Sequence, residues 1–284
     1  MKTFLFLTDF SANATYAAEY GHHLASKMGA NIVLCNALNV LDQLPQEEFV
    51  AWQMEGEDIS LDLSNTELID LKRHLEYSHA SGFNPKIQRI NYSGSVEDVI
   101  QNTIEKYKID MIVMGTHESG SLRNILLSNH NQMMIKETTV PLLLVPPSAP
   151  KTNIKRIAFA TDLKYVDVDL EYIFSLVKLA KLVDADILIT HIGGDLQLSP
   201  LADQQKERLL TRISNEADYP HVYYKFLNNG SVKDGLESLC DSEQISILAV
   251  VPRKRNFIES LISPSLTQKI VKHLSVPLLV FPPR

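Results

Sequence analysis

The chain repeats itself, and this internal repeat limits its fold more than any other feature of the sequence. Residues 140–147 read VPLLLVPP, and residues 276–283 read VPLLVFPP, 136 positions later. The tripeptide Gly-Ser-Val at 94–96 returns at 230–232 with the same offset. Motifs that recur in one order indicate two similar domains in one chain. Two domains is also the ordinary number for a chain of 284 residues.

The starts of the two halves match as well, but with a different offset. Phe-Leu-Thr-Asp at 6–9 resembles Phe-Ala-Thr-Asp at 159–162, 153 positions later, so the first half holds about 17 extra residues. They fall near 41–64, an acidic segment with the single tryptophan, Trp52. We predict an added helical segment there, either a solvated lid or spacer or a partner-binding helix anchored by Trp52. The domains are expected at 1–147 and 153–284.

Short apolar segments alternate with segments of helical periodicity in both halves. Strand–helix alternation favours right-handed crossovers and a parallel sheet that is covered on both faces. Ligands of such sheets bind beyond the carboxyl ends of the strands, here with the first and fourth strands as the expected flanks. In the first half we predict strands at 2–7, 31–37, 86–91, 111–114 and 142–145, and helices at 13–28, 61–78, 96–107 and 129–137. In the second half we predict strands at 156–160, 186–192, 222–227, 247–251 and 278–281.

The charge and composition of the chain exclude some classes of partner. The net charge is −7, which argues against general nucleic-acid binding because that requires a basic surface. Residues 1–150 contribute −8 and residues 151–284 contribute +1, so a basic face on the second half stays open. The apolar stretches are far shorter than the roughly 20 residues of a membrane helix, and the N-terminal segment is interpreted as a buried strand. Cys35 and Cys240 are expected to be buried and reduced, which fits a cytoplasmic location.

Several motifs resemble those of the universal stress protein family. Thr-Asp-Phe-Ser at 8–11 resembles its Pro-Thr-Asp-x-Ser start, Met-Gly-Thr-His at 114–117 its fourth-strand loop, and residues 140–145 its final strand. The resemblance covers both halves. It implies an α/β fold of two tandem five-stranded parallel sheets with strand order 3-2-1-4-5, in Rossmann-like domains of the adenine nucleotide alpha hydrolase-like type. It also implies an intramolecular pseudo-dimer through the fifth strands, while a further homodimer stays open.

ATP-binding members of that family carry the motif Gly-x2-Gly-x9-Gly-Ser/Thr, whose amides and hydroxyls hold phosphates. This chain keeps Gly115 at the first position, but Glu118 and Ser128 replace the later glycines, and Asn129 replaces the hydroxyl residue. A carboxylate at Glu118 would repel a triphosphate. The resemblance implies these candidate ligand-binding residues in the first half: Asp9, Ala37, Gly115, His117, Gly120, Ser128 and Asn129.

The positions on the adenine side are better preserved. Asp9 and Asp162 match the family's aspartate after the first strand, which contacts the base or the ribose. Ala37 and Ile192 match its hydrophobic base-contacting residue. An aspartate at this point can instead cap the following helix, although Ser11 is the predicted N-cap of the first helix.

The second half departs further from the phosphate-binding motif. Val251 stands at the first glycine, and Pro252, which has no N–H to donate, follows it. Arg253, Lys254 and Arg255 come next. These three basic residues either bind an anion by charge, form a solvated loop, or pair with the acidic first half.

No catalytic motif emerges from the sequence. It has no phosphate loop, dinucleotide fingerprint or nucleophile elbow, and its nine histidines show no metal-site spacing. His22 and His23 are expected to be exposed or partly packed, and His191 to pack at the end of its strand. We therefore expect a cytoplasmic, non-catalytic regulatory protein of the stress response that binds AMP or ATP weakly in its first half, and an unknown protein partner. The alternatives are a slow ATPase or nucleotide phosphohydrolase, and an interaction protein with empty clefts.

Overall fold

The structure is a computed structural model, and it describes residues 2–38, 50–78, 83–93, 96–116, 139–151, 153–193, 199–228, 232–251 and 276–282. The contacts within the chain define two compact units, Met1–Gly115 and Thr116–Arg284. The domain limits derived from the repeat, 1–147 and 153–284, stay a prediction. None of the described helices is both long and apolar enough to cross a bilayer.

In unit 1 the described strands form a parallel sheet, and helices alternate with the strands along the chain. The strands lie in the order β3-β2-β1-β4, which is the predicted order of the first four. The elements are β1 (Lys2–Leu7), α1 (Ala12–Met28), β2 (Ala30–Leu38), α2 (Val50–Tyr77), β3 (Ile87–Ser93), α3 (Val96–Tyr107) and β4 (Met111–Gly115).

In unit 2 the strands lie in the order β5-β10-β9-β6-β7-β8. Strands β6 to β10 are parallel and reproduce the predicted order 3-2-1-4-5. The contact between β10 and β5 is antiparallel, with Leu279 opposite Leu143. The elements are β5 (Leu142–Val145), β6 (Arg156–Thr161), α4 (Val166–Val183), β7 (Asp186–Gly193), α5 (Pro200–Glu216), β8 (Val222–Asn228), α6 (Val232–Ser242), β9 (Ile247–Val250) and β10 (Leu278–Val280).

The first strand of each half is buried on both faces. Phe4, Leu5 and Phe6 follow one another in β1 and are at most 1% exposed. Successive strand residues point to opposite faces, so helices must cover both sides of the sheet. This burial explains why the strands are continuous apolar runs rather than alternating ones. Cys35 and Cys240 are buried free thiols, as the sequence predicts.

Helix α1 has the ends that its sequence predicts. The Ser11 hydroxyl accepts a hydrogen bond from the Ala14 N–H at 3.2 Å, which confirms the predicted N-cap. At the other end Gly29 takes a φ of 63°, the left-handed conformation that ends many helices. The capped helix therefore begins directly after the turn that follows β1.

Helix α2 is longer than the helix predicted at 61–78. It begins at Val50, so much of the surplus segment is a continuation of this helix. Ser64, Leu68 and Leu75 are buried at helical spacing and form part of the face that α2 turns to the core. The side chain of Trp52 lies outside the described residues, so its role as a partner anchor stays a hypothesis.

Candidate functional site

A tight turn follows β1 in unit 1. The Thr8 N–H donates to the Cys35 carbonyl at 3.0 Å, and the Phe10 N–H donates to the Thr8 hydroxyl oxygen at 3.0 Å. Phe10 has a φ of 62°, a left-handed conformation that L-residues adopt only when their surroundings hold them there. The Ser11 N–H donates to Oδ1 of Asp9 at 3.0 Å. Asp9 therefore closes the turn, and it is exposed at the carboxyl end of the strand.

Gly115 lies at the end of β4, beside the start of α1. A Cβ at this position would stand 2.5 Å from the Asn13 carbonyl oxygen and 2.8 Å from its carbon. Both atoms belong to the backbone and cannot rotate away, so the close approach of strand and helix requires glycine. Because Leu7 pairs with Met114, the carboxyl ends of β1 and β4 meet here with the first turn of α1. This is the edge at which the fold predicts a ligand.

A buried polar cluster supports the turn from the side of β2. The Asn36 amide donates to the Thr8 carbonyl at 2.8 Å. The Ser64 hydroxyl lies 3.2 Å from Oδ1 of Asn36 and 3.2 Å from Oδ1 of Asn91. Asn36 is 5% exposed and Ser64 4% exposed. We call Thr8, Asn36, Ser64 and Asn91 the polar cluster; it joins β1, β2, β3 and α2 at the carboxyl edge.

The same turn follows β6 in unit 2. The Leu163 N–H donates to the Thr161 hydroxyl oxygen at 2.9 Å, and Leu163 has a φ of 59°. The Lys164 N–H donates to Oδ1 of Asp162 at 3.1 Å. Here the threonine hydroxyl also donates to Oδ2 of Asp169 at 2.6 Å, and Asp169 is 1% exposed. The second turn is thus tied to a buried carboxylate in the first turn of α4.

His191 of β7 takes the place that Asn36 has in unit 1. Its Nδ1 lies 3.2 Å from the Thr161 carbonyl oxygen, which can only accept, so Nδ1 carries the proton. Its ring stacks on Phe226, with 5.6 Å between the ring centroids. Burial lowers the pKa of His191, although the hydrogen bond to Thr161 and the charge of Asp162 act in the other direction. The expected packing role of this histidine therefore includes one directed hydrogen bond.

The two aspartates differ in what their second oxygen contacts. Oδ2 of Asp162 lies 3.7 Å from Nζ of Lys164. Among the residues that the structure describes, no polar partner reaches Oδ2 of Asp9. The Asp162 carboxylate therefore faces a cation of its own loop, and Asp9 has no such cation among the described residues. Neither aspartate is an N-cap, because Ser11 caps α1 and Tyr165 stands at the N-cap of α4.

The remaining predicted site residues are described only in part. Ala37 lies in β2, one residue after Asn36, and pairs with Tyr92 of β3. Three elements of the predicted site therefore reach one edge of unit 1, namely the ends of β1, β2 and β4. The following predicted residues lie outside the described residues: His117, Glu118, Gly120, Ser128, Asn129, Arg253, Lys254 and Arg255.

Sequence reasoning missed the polar cluster. Asn36 follows the buried apolar residues Ile32 to Cys35, and a polar residue at the end of such a run is the signal that could have indicated it. Ser64 carries no comparable signal, since its contacts depend on how α2 packs against two strands. His22 was also misjudged, because it is only 4% exposed on α1. In the described part of the chain, no group of three His, Cys, Asp or Glu side chains could hold a metal ion.

Comparison with known proteins decides the family. A sequence model described as the Universal stress protein family matches residues 1–146. The chain belongs to the universal stress protein family. The turn with Asp9 and the close approach at Gly115 are thus features of a universal stress protein domain. A search of curated proteins found no match.

Solved structures share the fold over nearly the whole chain, and two of them are described as universal stress proteins. A universal stress protein from Archaeoglobus fulgidus DSM 4304 is 18% identical, with a TM-score of 0.70 over 99% of this chain and 96% of that one. A putative universal stress protein from Pseudomonas aeruginosa UCBPP-PA14 is 10% identical, with a TM-score of 0.56 over 100% and 94%. A functionally unknown protein from Pseudomonas aeruginosa PAO1 is also 10% identical, with a TM-score of 0.57 over 100% and 93%. At these identities the likeness concerns the fold alone.

Proposed function

We propose that the protein is a cytoplasmic, non-catalytic binding and regulatory module of the stress response. Its ligand is an adenine nucleotide, held at the carboxyl ends of β1 and β4 in the first half. The observation that carries this proposal is the exposed Asp9 carboxylate, which presents Oδ2 at the edge where parallel α/β sheets bind ligands. Ribose hydroxyls and the adenine amino group are hydrogen-bond donors that suit this acceptor.

The nucleotide is bound weakly, and its phosphates contribute little. Glu118 and Ser128 stand where ATP-binding relatives need glycines, so the amide cradle of a triphosphate is incomplete. Gly115 is retained, but the Asn13 backbone alone explains why it must be glycine. We therefore expect AMP to bind at least as well as ATP. This arrangement argues against phosphoryl transfer, which depends on positioned phosphates.

The second half has a regulatory or structural role in this proposal. Its aspartate, Asp162, faces Lys164, and Val251 and Pro252 replace the start of the phosphate loop. The antiparallel contact between β5 and β10 supports a tandem pair of domains, 1–147 and 153–284, that associate through their fifth strands. Association of two chains and an unidentified protein partner belong to the same proposal.

A matched pair of substitutions tests the nucleotide site. Asp9→Asn keeps an oxygen that accepts from the Ser11 N–H but removes the charge, and Asp162→Asn makes the same change in the second half. Titration calorimetry with AMP should show weak binding to the natural protein and to Asp162→Asn. Asp9→Asn should lose about tenfold in affinity, the size of a charge-assisted hydrogen bond.

Three results would contradict the proposal. One is equal affinity in both variants, and another is submicromolar affinity for ATP with magnesium. The third is a natural protein that neither binds nor is thermally stabilised by any adenine nucleotide, which would favour an interaction protein with empty clefts. Native mass spectrometry of gently purified protein reports both the bound ligand and the number of chains.

A further inference from the structure

The structure assigns Asn36 and Ser64 as positioning residues for the Asp9 turn, through the polar cluster. The assignment rests on the proposed nucleotide site, because it explains how that site keeps its geometry. Neither residue is placed against the ligand. Each acts on Asp9 by holding the peptide group that precedes it.

The direction of each hydrogen bond follows from chemistry. The Thr8 carbonyl can only accept, so the amide nitrogen of Asn36 must face it, at 2.8 Å. Oδ1 of Asn36 then points to Ser64, whose hydroxyl lies 3.2 Å away and supplies the proton. If the Ser64 hydroxyl were absent, the hydrogen bond to Thr8 alone would hold the Asn36 amide in this orientation.

Ser64 holds two strands at once. Its single proton faces Oδ1 of Asn36 and Oδ1 of Asn91, both at 3.2 Å. The Asn91 amide in turn donates to Oδ1 of Asn65, the next residue of α2, at 3.3 Å. Because Asn36 and Ser64 are almost fully buried, water cannot readily replace a lost partner. The packing of α2 thus fixes the amides at the ends of β2 and β3.

The Thr8 peptide controls where Asp9 points. Its N–H is bonded to Cys35, its carbonyl to Asn36, and its hydroxyl to the Phe10 N–H. Phe10 adopts a left-handed conformation that is held only by such surroundings. If the Thr8 carbonyl is no longer held by Asn36, the peptide plane between Thr8 and Asp9 can rotate. The Asp9 carboxylate then no longer has one orientation.

The second half supports the same conclusion from a different residue. There the Thr161 carbonyl is held by His191 at 3.2 Å, and Leu163 repeats the left-handed conformation. The contact to this carbonyl is therefore repeated although the side chain that makes it is not. A contact that recurs with a different residue type indicates that the turn itself needs it.

The first experiment is a double-mutant cycle with AMP as the probe. Ser64→Ala should weaken AMP binding about two- to tenfold, the range of a single hydrogen bond. Asp9→Asn and the double variant Ser64→Ala/Asp9→Asn should bind AMP equally, since Ser64 acts only through Asp9. Thr66→Ala is the matched control, because Thr66 is an exposed α2 residue whose hydroxyl donates to the Asp62 carbonyl within the helix. Losses that add in the double variant, or a Ser64→Ala affinity equal to that of Thr66→Ala, would overturn the assignment.

The second experiment does not depend on the nucleotide. Hydrogen exchange at the Phe10 and Ser11 amides should be faster in Ser64→Ala than in Thr66→Ala, and faster still in Asn36→Asp, which places an oxygen against the Thr8 carbonyl. Unchanged exchange in a folded Ser64→Ala variant would overturn the assignment even if AMP binds. If the natural protein binds no AMP, the nucleotide proposal fails, and the exchange rates alone decide whether the cluster holds the turn. Should Asn36→Asp fail to fold, Ser64→Ala still decides.

Discussion

The turn after β1 and the turn after β6 share one backbone but differ in their chemistry. In both, a threonine hydroxyl accepts from the N–H two residues later, and Phe10 and Leu163 have φ values of 62° and 59°. The side chains around them have diverged. In the first turn no described residue contacts Oδ2 of Asp9, whereas the second has Lys164 beside Asp162. The backbone of a turn can thus be kept for folding while its ligand-facing groups change.

The side chains that hold the two turns also differ between the halves. In the first half neutral amides and the Ser64 hydroxyl hold the Thr8 carbonyl from a cluster that reaches the carboxyl edge. In the second half His191 stacks on Phe226, and Thr161 is bonded to the buried carboxylate of Asp169. The second turn satisfies its polar groups internally. We place the ligand in the first half, beside the first turn.

The largest expected effect concerns the end of β4. Val251 is the residue that the repeat aligns with Gly115, so Gly115→Val transfers the second half's residue into the first. Its Cβ would meet the Asn13 carbonyl at 2.5 Å, and we expect a loss of about 4 kcal/mol in unfolding free energy, or no folding at all. Urea denaturation measures it.

Gly29→Ala is the control for that substitution. Gly29 has a φ of 63°, but no atom lies within 4 Å of its added Cβ, so only the backbone conformation is penalised. We expect about 1 kcal/mol. Equal losses at Gly115 and Gly29 would mean that the close approach of β4 and α1 is not what requires the glycine.

An intermediate effect distinguishes the two threonines. Thr161→Val removes a donor to the buried Asp169 carboxylate, and hydrogen bonds to charged groups contribute more than neutral ones. We expect a loss of about 2 kcal/mol. Thr8→Val removes only the acceptor for the Phe10 N–H, so about 1 kcal/mol should be lost. The reverse order in denaturant titrations would show that the Asp169 contact does not stabilise the second turn.

The fold could be predicted from the sequence far better than the side-chain contacts that hold the two turns. The repeat and the strand–helix alternation predict two parallel α/β halves, and the family resemblance implies their strand order. Ser11 is identifiable as an N-cap because its hydroxyl precedes a helical period. The sequence predicts a helical segment near 41–64 and a helix at 61–78, but not that α2 runs without a break from Val50 to Tyr77. The resemblance implies a ligand-binding role for Gly115, which stays a prediction, and the sequence carries no sign of its close approach to the Asn13 backbone.

Asn36 carries a signal in the sequence, but the contacts that it makes in the polar cluster could not be derived. Asn36 and Ser64 are 28 residues apart, and their contact depends on the register of β2 and on which face α2 buries. Local sequence determines neither. A repeat alignment would not have found the cluster, because its second-half counterpart at this carbonyl is a histidine rather than an amide. In each half a different donor, Asn36 or His191, bonds to the carbonyl of the turn threonine.

The smallest expected effect is a pH dependence of stability, because the second turn is held by a histidine, which titrates, and the first by Asn36, which does not. Burial lowers the pKa of His191, and burial together with the charge of His23 lowers the pKa of His22. The unfolded chain binds these protons near the ordinary histidine pKa of about 6.5, and the folded protein binds them only at lower pH. The unfolded state therefore holds more of these protons in this interval, and the two histidines lower the stability as the pH decreases from about 7 to 5.

Replacing His191 with asparagine, the residue at the corresponding position of the first half, isolates its contribution to the pH dependence of stability. His191→Asn keeps an amide that can donate to the Thr161 carbonyl but cannot titrate, so the variant should lose less stability on acidification than the natural protein. His22→Asn should reduce the pH dependence in the same direction, because Nε2 of His22 is buried and no described residue bonds to it. Thermal unfolding at several pH values between 7 and 5 measures both. If His191→Asn becomes as acid-sensitive as the natural protein, the histidine is not held neutral in the folded state, and the two supports differ in shape but not in protonation.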